Sequence, residues 1–262
     1  MSQLFTPYHL YDNLLLWLDG ADPNANDGDG VPVQDRPLYQ WVDKSQNKYV
    51  FVQSTESEAP TYDLANKRIV FDGDYLSCEN IDNFPTRFHM FVAATLTQTG
   101  GFTGSPNNVI VSCDSVDGAS DWSFVKEAGE GTPFPANRDE IESRFIFQDG
   151  SEVTQEIVSP VTVTENSPAI FEVLADSISA APTQAVDVNN HNNYGLSTSD
   201  IKLDNDVVIN LMRNLDGEDS VGTIYEVLIF DALLNRHDRW AIQGYLKEKY
   251  NIYVVDSYED VP

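Results

Sequence analysis

Ile224–Ile252, IYEVLIFDALLNRHDRWAIQGYLKEKYNI, is the stretch that decides the fold. Ile224, Tyr225, Val227, Leu228, Ile229 and Phe230 form a β-rich apolar run broken by a single charge, Glu226. A run of that kind predicts a strand buried on both faces. A helix should follow. Asn235 can cap it by accepting a backbone N–H of the first turn, and Asp238 adds negative charge near that end. Ala241, Ile242, Tyr245, Leu246 and Tyr250 then fall on one stripe at helical spacing. Lys247 and Lys249 sit in the last turn, where cations are favoured, and Asn251 suits the left-handed residue that ends a helix.

Outward from this segment the chain is β-rich. Leu14–Leu18 is the first apolar run, and Asp22–Gly30 (DPNANDGDG) is a loop of turn formers. Trp41 and Val42 precede a further turn, DKSQN, and Tyr49–Gln53, Arg68–Phe71, Phe88–Thr95 and Asn108–Cys113 read as strands. Arg144–Phe147, Glu156–Thr164, Ile170–Leu174 and Val207–Met212 follow. Asp114–Glu142 is irregular, rich in Gly, Pro, Asp and Glu, and punctuated by Trp122, Phe124 and Phe134. Asp176–Asp200 is a polar stretch. Frequent strands with turn signals between them, and helical periodicity only at the end, predict an all-β antiparallel sandwich or barrel closed by one helix. Residues 1–13 form a lead-in, 14–253 one domain with 114–142 as an irregular loop or insertion, and 254–262 a short acidic tail.

With 262 residues and 41% hydrophobic content, the chain can bury a sizeable core. Its 15 Lys and Arg against 42 Asp and Glu give a net charge of −27. That excludes nucleic acid as a direct partner, because phosphate binding needs clustered cations, and argues equally against an anionic membrane surface. An acidic surface favours solubility, notably at high ionic strength. Cys78 and Cys113 are the only cysteines and are expected as free thiols, with no CxxC or paired histidine to suggest a metal site. MSQLFTPYHLYDN carries neither a basic region nor an apolar core, so no secretory signal is expected. No run approaches the ~18 apolar residues of a membrane helix.

Four blocks carry a family resemblance, in order. LLLWLDGADP (14–23), YQWVDKSQNKYVF (39–51), PTYDLANKRIVFDGDYL (60–76) and the closing 224–252 segment resemble the concanavalin A-like lectin/glucanase superfamily, in its laminin-G-like jelly-roll branch of bacterial and phage proteins. The resemblance implies two stacked antiparallel sheets with the terminal helix packed against them. It implies little about activity, since such folds host sugar binders, adhesion modules, glucanases and structural parts.

Candidate sites must therefore come from residues. Glucanases of this type place carboxylates on one strand as E-x-D-x-x-E. The nearest cluster here, Asp139, Glu140 and Glu142, departs from that spacing, so no catalytic residue is assigned. No G-x-S-x-G elbow accompanies the scattered His9, His89, His191 and His237. Asp22, Asn24, Asn26, Asp27 and Asp29 offer oxygen ligands close together, as a structural calcium ion requires. Yet in an EF-hand register the sixth position would be Asp27, not Gly, and the twelfth Val33, not Glu. The alternative is a solvated turn. A glycan or partner surface could combine Trp122 and Phe134 with Asn190, His191, Asn193 and Tyr194 of the NNHNNYG loop, pairing planar amides with aromatic faces. The alternative is a polar connection. Trp17, Trp41 and Trp240 are expected in core or helix–sheet contacts. The reading as a whole is a non-catalytic structural or attachment module. Its first expected setting is a virion surface, as a capsid decoration or fibre-associated protein whose partners are other capsid proteins or copies of itself. The alternative is a lectin or adhesin binding host surface glycans, outside the cell or at its surface.

Overall fold

The strand and helix expected within Ile224–Ile252 are Val221–Phe230 and Arg236–Tyr250 in the computed structural model. The structure describes residues 5–26, 32–82, 84–97, 108–115, 121–127, 140–149, 152–158, 163–164, 166–176, 183–189, 195–197, 206–213 and 219–253. After a 3-10 turn at Pro7–Asn13 come β1 (Leu14–Asp19), β2 (Gln40–Val42), β3 (Val50–Val52), β4 (Thr61–Asp63), β5 (Arg68–Asp72) and β6 (Leu76–Asp82). Then follow β7 (Arg87–Leu96), β8 (Asn108–Ser115), β9 (Asp121–Glu127), β10 (Glu140–Asp149), β11 (Glu152–Val158) and β12 (Val163–Thr164). The series ends with β13 (Pro168–Asp176), β14 (Thr183–Val188), β15 (Gly195–Ser197), β16 (Asp206–Leu211), β17 (Val221–Phe230) and the helix α1 (Arg236–Tyr250).

The strands make two antiparallel sheets. The first runs β15-β14-β13-β7-β17-β5-β4, with β1 also paired to β17; the second runs β11-β10-β9-β8-β16-β6-β3-β2, with β12 paired to β10. Their facing sides enclose the main core, where Leu16, Leu18, Phe88, Met90, Val92, Ile224, Val227 and Ile229 of the first sheet share a cluster with Trp41, Phe51, Leu76, Val111, Ile209 and Leu211 of the second. The other side of the first sheet carries a second cluster: Leu14, Trp17, Phe91, Ala93, Ile170, Leu228 and Phe230 pack under Ile242 and Leu246 of α1. This two-sided burial is why β7 and β17 are apolar almost throughout rather than alternating. Ile242 and Leu246 are almost fully buried, which favours the docked helix by roughly 1.5–3 kcal/mol each.

The helix ends are built as the sequence predicts. Asn235 accepts hydrogen bonds from the amides of His237 and Asp238, and Asn251 terminates the helix at φ 52°, ψ 43°. Two stretches differ from expectation. Within 114–142, Asp121–Glu127 is a full strand, because Trp122 and Phe124 alternate with Asp121 and Ser123, a period hidden among flanking Gly and Pro. The polar stretch after Asp176 contains β14, which pairs onto β13 with Ala185 and Val188 buried at the sheet, and β15, which pairs onto β14. Among the described residues no helix is long and apolar enough to cross a membrane.

Candidate functional site

Two buried polar clusters fix α1 to the first sheet. A bulge on β17, where the register against β7 shifts between Ile224 and Glu226, turns both Tyr225 and Glu226 toward the helix. Glu226 is fully buried there. Its Oε1 accepts from Trp17 Nε1 at 2.6 Å and Tyr245 OH at 3.0 Å; its Oε2 accepts from Lys249 Nζ and Tyr250 OH, each at 2.7 Å. Burial pushes the Glu226 carboxyl above its ordinary value, against the pull of the Lys249 ammonium. It likewise pushes the Tyr245 and Tyr250 hydroxyls up, with Glu226 adding to the effect. Lys249 Nζ also lies 2.7 Å from Asp19 Oδ1, and Lys44 Nζ lies 3.4 Å from Asp19 Oδ2 and 2.8 Å from Asp22 Oδ2. Lys44 loses hydration by burial, but the hydrogen bond to Asp22 and the charges of Asp19 and Asp22 raise its affinity for the proton overall.

The second cluster centres on Glu172 of β13. Its Oε1 meets His89 Nε2 at 2.6 Å and Arg239 Nε at 2.5 Å, and its Oε2 accepts from Gln243 Nε2 at 2.5 Å. Burial alone would raise this carboxyl, but the hydrogen bond and charge of His89, with those of Arg239, hold it below the usual range. His89 Nδ1 lies 3.3 Å from the amide nitrogen of Leu234, so both ring nitrogens have a partner. His89 is thus a satisfied core histidine.

These clusters show what the resembling blocks do locally. Asp43 of the DKSQN turn is fully buried and accepts the amides of Trp17, Ser45 and Tyr49 together with the Ser45 hydroxyl. It ties the first block to the second. Burial raises its carboxyl, and these hydrogen bonds oppose the rise.

The candidate calcium loop is partly described. Asp22 is buried, accepts the Asn26 amide at 3.2 Å and faces the Lys44 ammonium. Asn24 and Asn26 are described beside it, and Asp27 and Asp29 lie outside the described residues. Among the described residues no cluster of three or more His, Cys, Asp or Glu could hold a metal ion. Of the proposed glycan or partner surface, Trp122 stands on β9 opposite Cys113 of β8 and Phe147 of β10, a register position shared with a core residue. Phe134, Asn190, His191, Asn193 and Tyr194 lie outside the described residues. Glu140 and Glu142 belong to β10, and Asp139 is outside the described set.

Two features escaped the sequence reading, the first a largely buried polar row. On the second sheet's side away from the core, Ser77, Asn210 and Ser112 stand in one row across β6, β16 and β8. Asn210 accepts from Ser77 Oγ at 2.5 Å and donates to Asp114 Oδ2 at 2.8 Å and to Ser112 Oγ at 3.4 Å. The alternation of these polar residues with buried Cys78, Ile209 and Cys113 is the signal that would have found them. The second feature is Trp240. Expected in a core or helix–sheet contact, it is half-buried and belongs to neither buried apolar cluster. Arg236 Cζ lies 4.2 Å from its ring centre, and the His237 ring packs edge-on at 6.1 Å. Trp17 and Trp41 are buried as expected. At about 100° per residue, Trp240 and Ile242 project about 200° apart, so a helical projection would have placed Trp240 outward.

No protein-family model matches the sequence, and no curated protein matches it significantly. Solved structures do match the fold. Domain 4 of AbnA, an extracellular GH43 arabinanase from Geobacillus stearothermophilus, in complex with arabinotriose, aligns with TM-score 0.52 and 10% identity, covering 91% of this chain and 98% of that one. A Trypanosoma rangeli sialidase in complex with sialic acid aligns with TM-score 0.52 and 11% identity over 94% of this chain, which spans 34% of the sialidase. The receptor binding domain of botulinum neurotoxin D aligns with TM-score 0.50 and 14% identity over 90% of this chain, which spans 53% of that domain. Two antiparallel sheets, the closing helix among the described residues and these matches agree: the chain has the concanavalin A-like jelly-roll β-sandwich fold.

Proposed function

We propose that this protein is a non-catalytic carbohydrate-binding module that serves attachment. The observation that carries the reading is the match along nearly the whole length of both chains to the arabinanase domain, a structure in complex with arabinotriose. The chemistry of the described carboxylates supports it. Glycoside hydrolysis needs a carboxyl pair flanking a sugar in a cleft. Glu172 and Glu226, the most deeply buried carboxylates of the helix–sheet interface, are instead sealed beneath α1 with their oxygens taken by Arg, Lys, Tyr, Trp, His and Gln donors.

Because α1 covers one side of the first sheet, sugar contacts fall to the outer side of the second sheet, to the loops and to the helix exterior. The candidates drawn from the sequence are Trp122, on β9, with Phe134, Asn190, His191, Asn193 and Tyr194. A glycan array with purified protein tests the reading. Binding that disappears on Tyr194→Ala or Trp122→Ala supports this surface, and no retained glycan in any class refutes the module's proposed role.

A place on a virion surface is a separate proposal that rests on the acidic charge and the block resemblance; none of the three similar structures is a capsid component. A mass-spectrometric inventory of purified particles that lacks this chain would remove it.

A further inference from the structure

β1 and β17 bring two acids face to face. Asp19 and Glu226 are register partners across these antiparallel strands, and both are buried, at 5% and 0% exposure. Like charges directly opposite one another on a sheet repel, and burial strengthens the repulsion. The pair shares Lys249 of α1, whose Nζ lies 2.7 Å from Asp19 Oδ1 and 2.7 Å from Glu226 Oε2. Lys44, on the far side, lies nearer to Asp22, at 2.8 Å, than to Asp19, at 3.4 Å. Among the other neighbours, Trp17 of β1 and Tyr245 of α1 donate to Glu226 Oε1, and Tyr8 of the 3-10 turn packs edge-on against Trp17. β7 sets the uncharged Ala93 opposite Glu226.

The hydrogen bonds leave a place for one more proton. The Tyr245 hydroxyl accepts from Lys249 at 2.7 Å, so its own proton goes to Glu226. Tyr250 is different. Its hydroxyl carries one proton, yet three acceptors surround it: Glu226 Oε2 at 2.7 Å, the Tyr225 carbonyl at 3.1 Å and Asp19 Oδ1 at 3.4 Å. A proton added at Glu226 Oε2 is donated to the Tyr250 oxygen, and Tyr250 turns its own proton to the Tyr225 carbonyl. The bonds from Trp17, Tyr245 and Lys249 stay as they are, so neither form of the carboxyl strands a buried donor or acceptor.

We propose that the Asp19–Glu226 pair is a proton-binding site, which takes up one proton as pH falls below neutral and thereby fastens α1 more tightly to the first sheet. Uptake leaves one carboxylate, instead of two, to share the Lys249 ammonium. The two carboxyls act as one coupled unit. Burial foremost, with the charge of Asp19, raises the Glu226 carboxyl against the pull of Lys249. An acid raised in this way binds its proton more tightly folded than unfolded. Its contribution to stability is therefore present below the unfolded value, about pH 4.3, and is lost as pH rises through the folded one.

Thermal unfolding of the full chain from about pH 8 to about pH 5 reads the uptake, with wild type set against Glu226→Gln and Asp19→Asn. Each variant places a neutral side chain at one position and leaves Lys249 to the remaining carboxylate, so neither has this proton to gain. Wild type should gain on each variant by roughly 3–5 °C as pH falls, whatever the variants' starting midpoints. Glu172 and the general acidity of the chain are common to all three proteins and drop out of the difference. A second readout is independent of stability: the infrared carbonyl band of a buried protonated carboxyl should grow in wild type over the same range and be missing from both variants. Tyr250→Phe, which removes the oxygen that receives the added proton, should move the uptake to lower pH. Parallel midpoint curves for wild type and variants, or no such band in wild type, overturn the site. Should the variants fail to fold, the wild-type band and its displacement in Tyr250→Phe decide the matter alone, and a band that Tyr250→Phe leaves in place overturns it.

Discussion

Lys249→Met is the most direct test of what holds the closing helix in place. The ammonium lies 2.7 Å from Asp19, Glu226 and the Tyr245 hydroxyl, and its side chain is 18% exposed. Methionine keeps most of the stem but leaves both carboxylates short of a cation. Breaking a buried ion pair on one side costs about 3–5 kcal/mol. Here the lower end applies, because Glu226 keeps its bonds from Trp17, Tyr245 and Tyr250, and Asp19 keeps Lys44 at 3.4 Å. A loss of about 3 kcal/mol lowers the midpoint of a domain this size by roughly 6–12 °C.

The assay is thermal unfolding followed by circular dichroism at neutral pH, repeated toward pH 5. Glu226 already has a raised folded-state value, and without Lys249 its charged form is less favourable still. The folded protein then takes up a proton more readily than the unfolded chain, so stability rises as pH falls and the gap to wild type narrows. Adding Glu226→Gln to Lys249→Met should recover about 1 kcal/mol by removing the stranded charge. A midpoint loss below about 2 °C, or a double variant no more stable than Lys249→Met, would refute the view that this network pins the helix.

Glu172, held below its ordinary value, contributes stability that is present above its unfolded value near pH 4.3 and is lost as pH falls through the folded one. In a pH series of unfolding midpoints, Glu172→Gln should lower the midpoint at neutral pH and flatten that acid limb. Cys78 and Cys113 are both buried and unbridged, and burial pushes the Cys78 thiol up to about 11. Thiol reagents should therefore label neither in the native protein and both after denaturation, as read by intact mass. Chelator should leave the melting midpoint unchanged, because the Lys44 ammonium already engages Asp19 and Asp22. A midpoint that falls with chelator and returns with calcium would establish the Asp22–Asp29 loop as a metal site.

Local chemistry made part of this fold legible in advance. The apolar run through Phe230 announced burial on both faces, and Asn235 and Asn251 marked the helix ends they occupy. β9 was obscured because Trp122 and Phe124 stand among glycines, prolines and acids that read as loop. Glu226 stood out as the one charge in an apolar strand, but its partners come from Trp17 and from Tyr245, Lys249 and Tyr250, brought together only by tertiary assembly and a β17 bulge. The same holds for Asn210, whose partners lie on β6 and β8. Trp240 was misplaced for a simpler reason: a large aromatic residue suggests burial by its type, whereas helical angle decides which way it points.

The central position of β17 has a kinetic corollary. It bonds to β1, β5 and β7, and its partners in β1 lie more than two hundred residues earlier in the chain. During synthesis the N-terminal hairpins emerge while the middle of their sheet is still missing. Phe91, Val92 and Trp17 then wait with apolar surface uncovered until Phe230 and the residues after it leave the ribosome. Such long-range closure makes for slow folding, leaves the nascent polypeptide prone to aggregation, and makes any truncation ahead of that strand far more damaging than its length suggests.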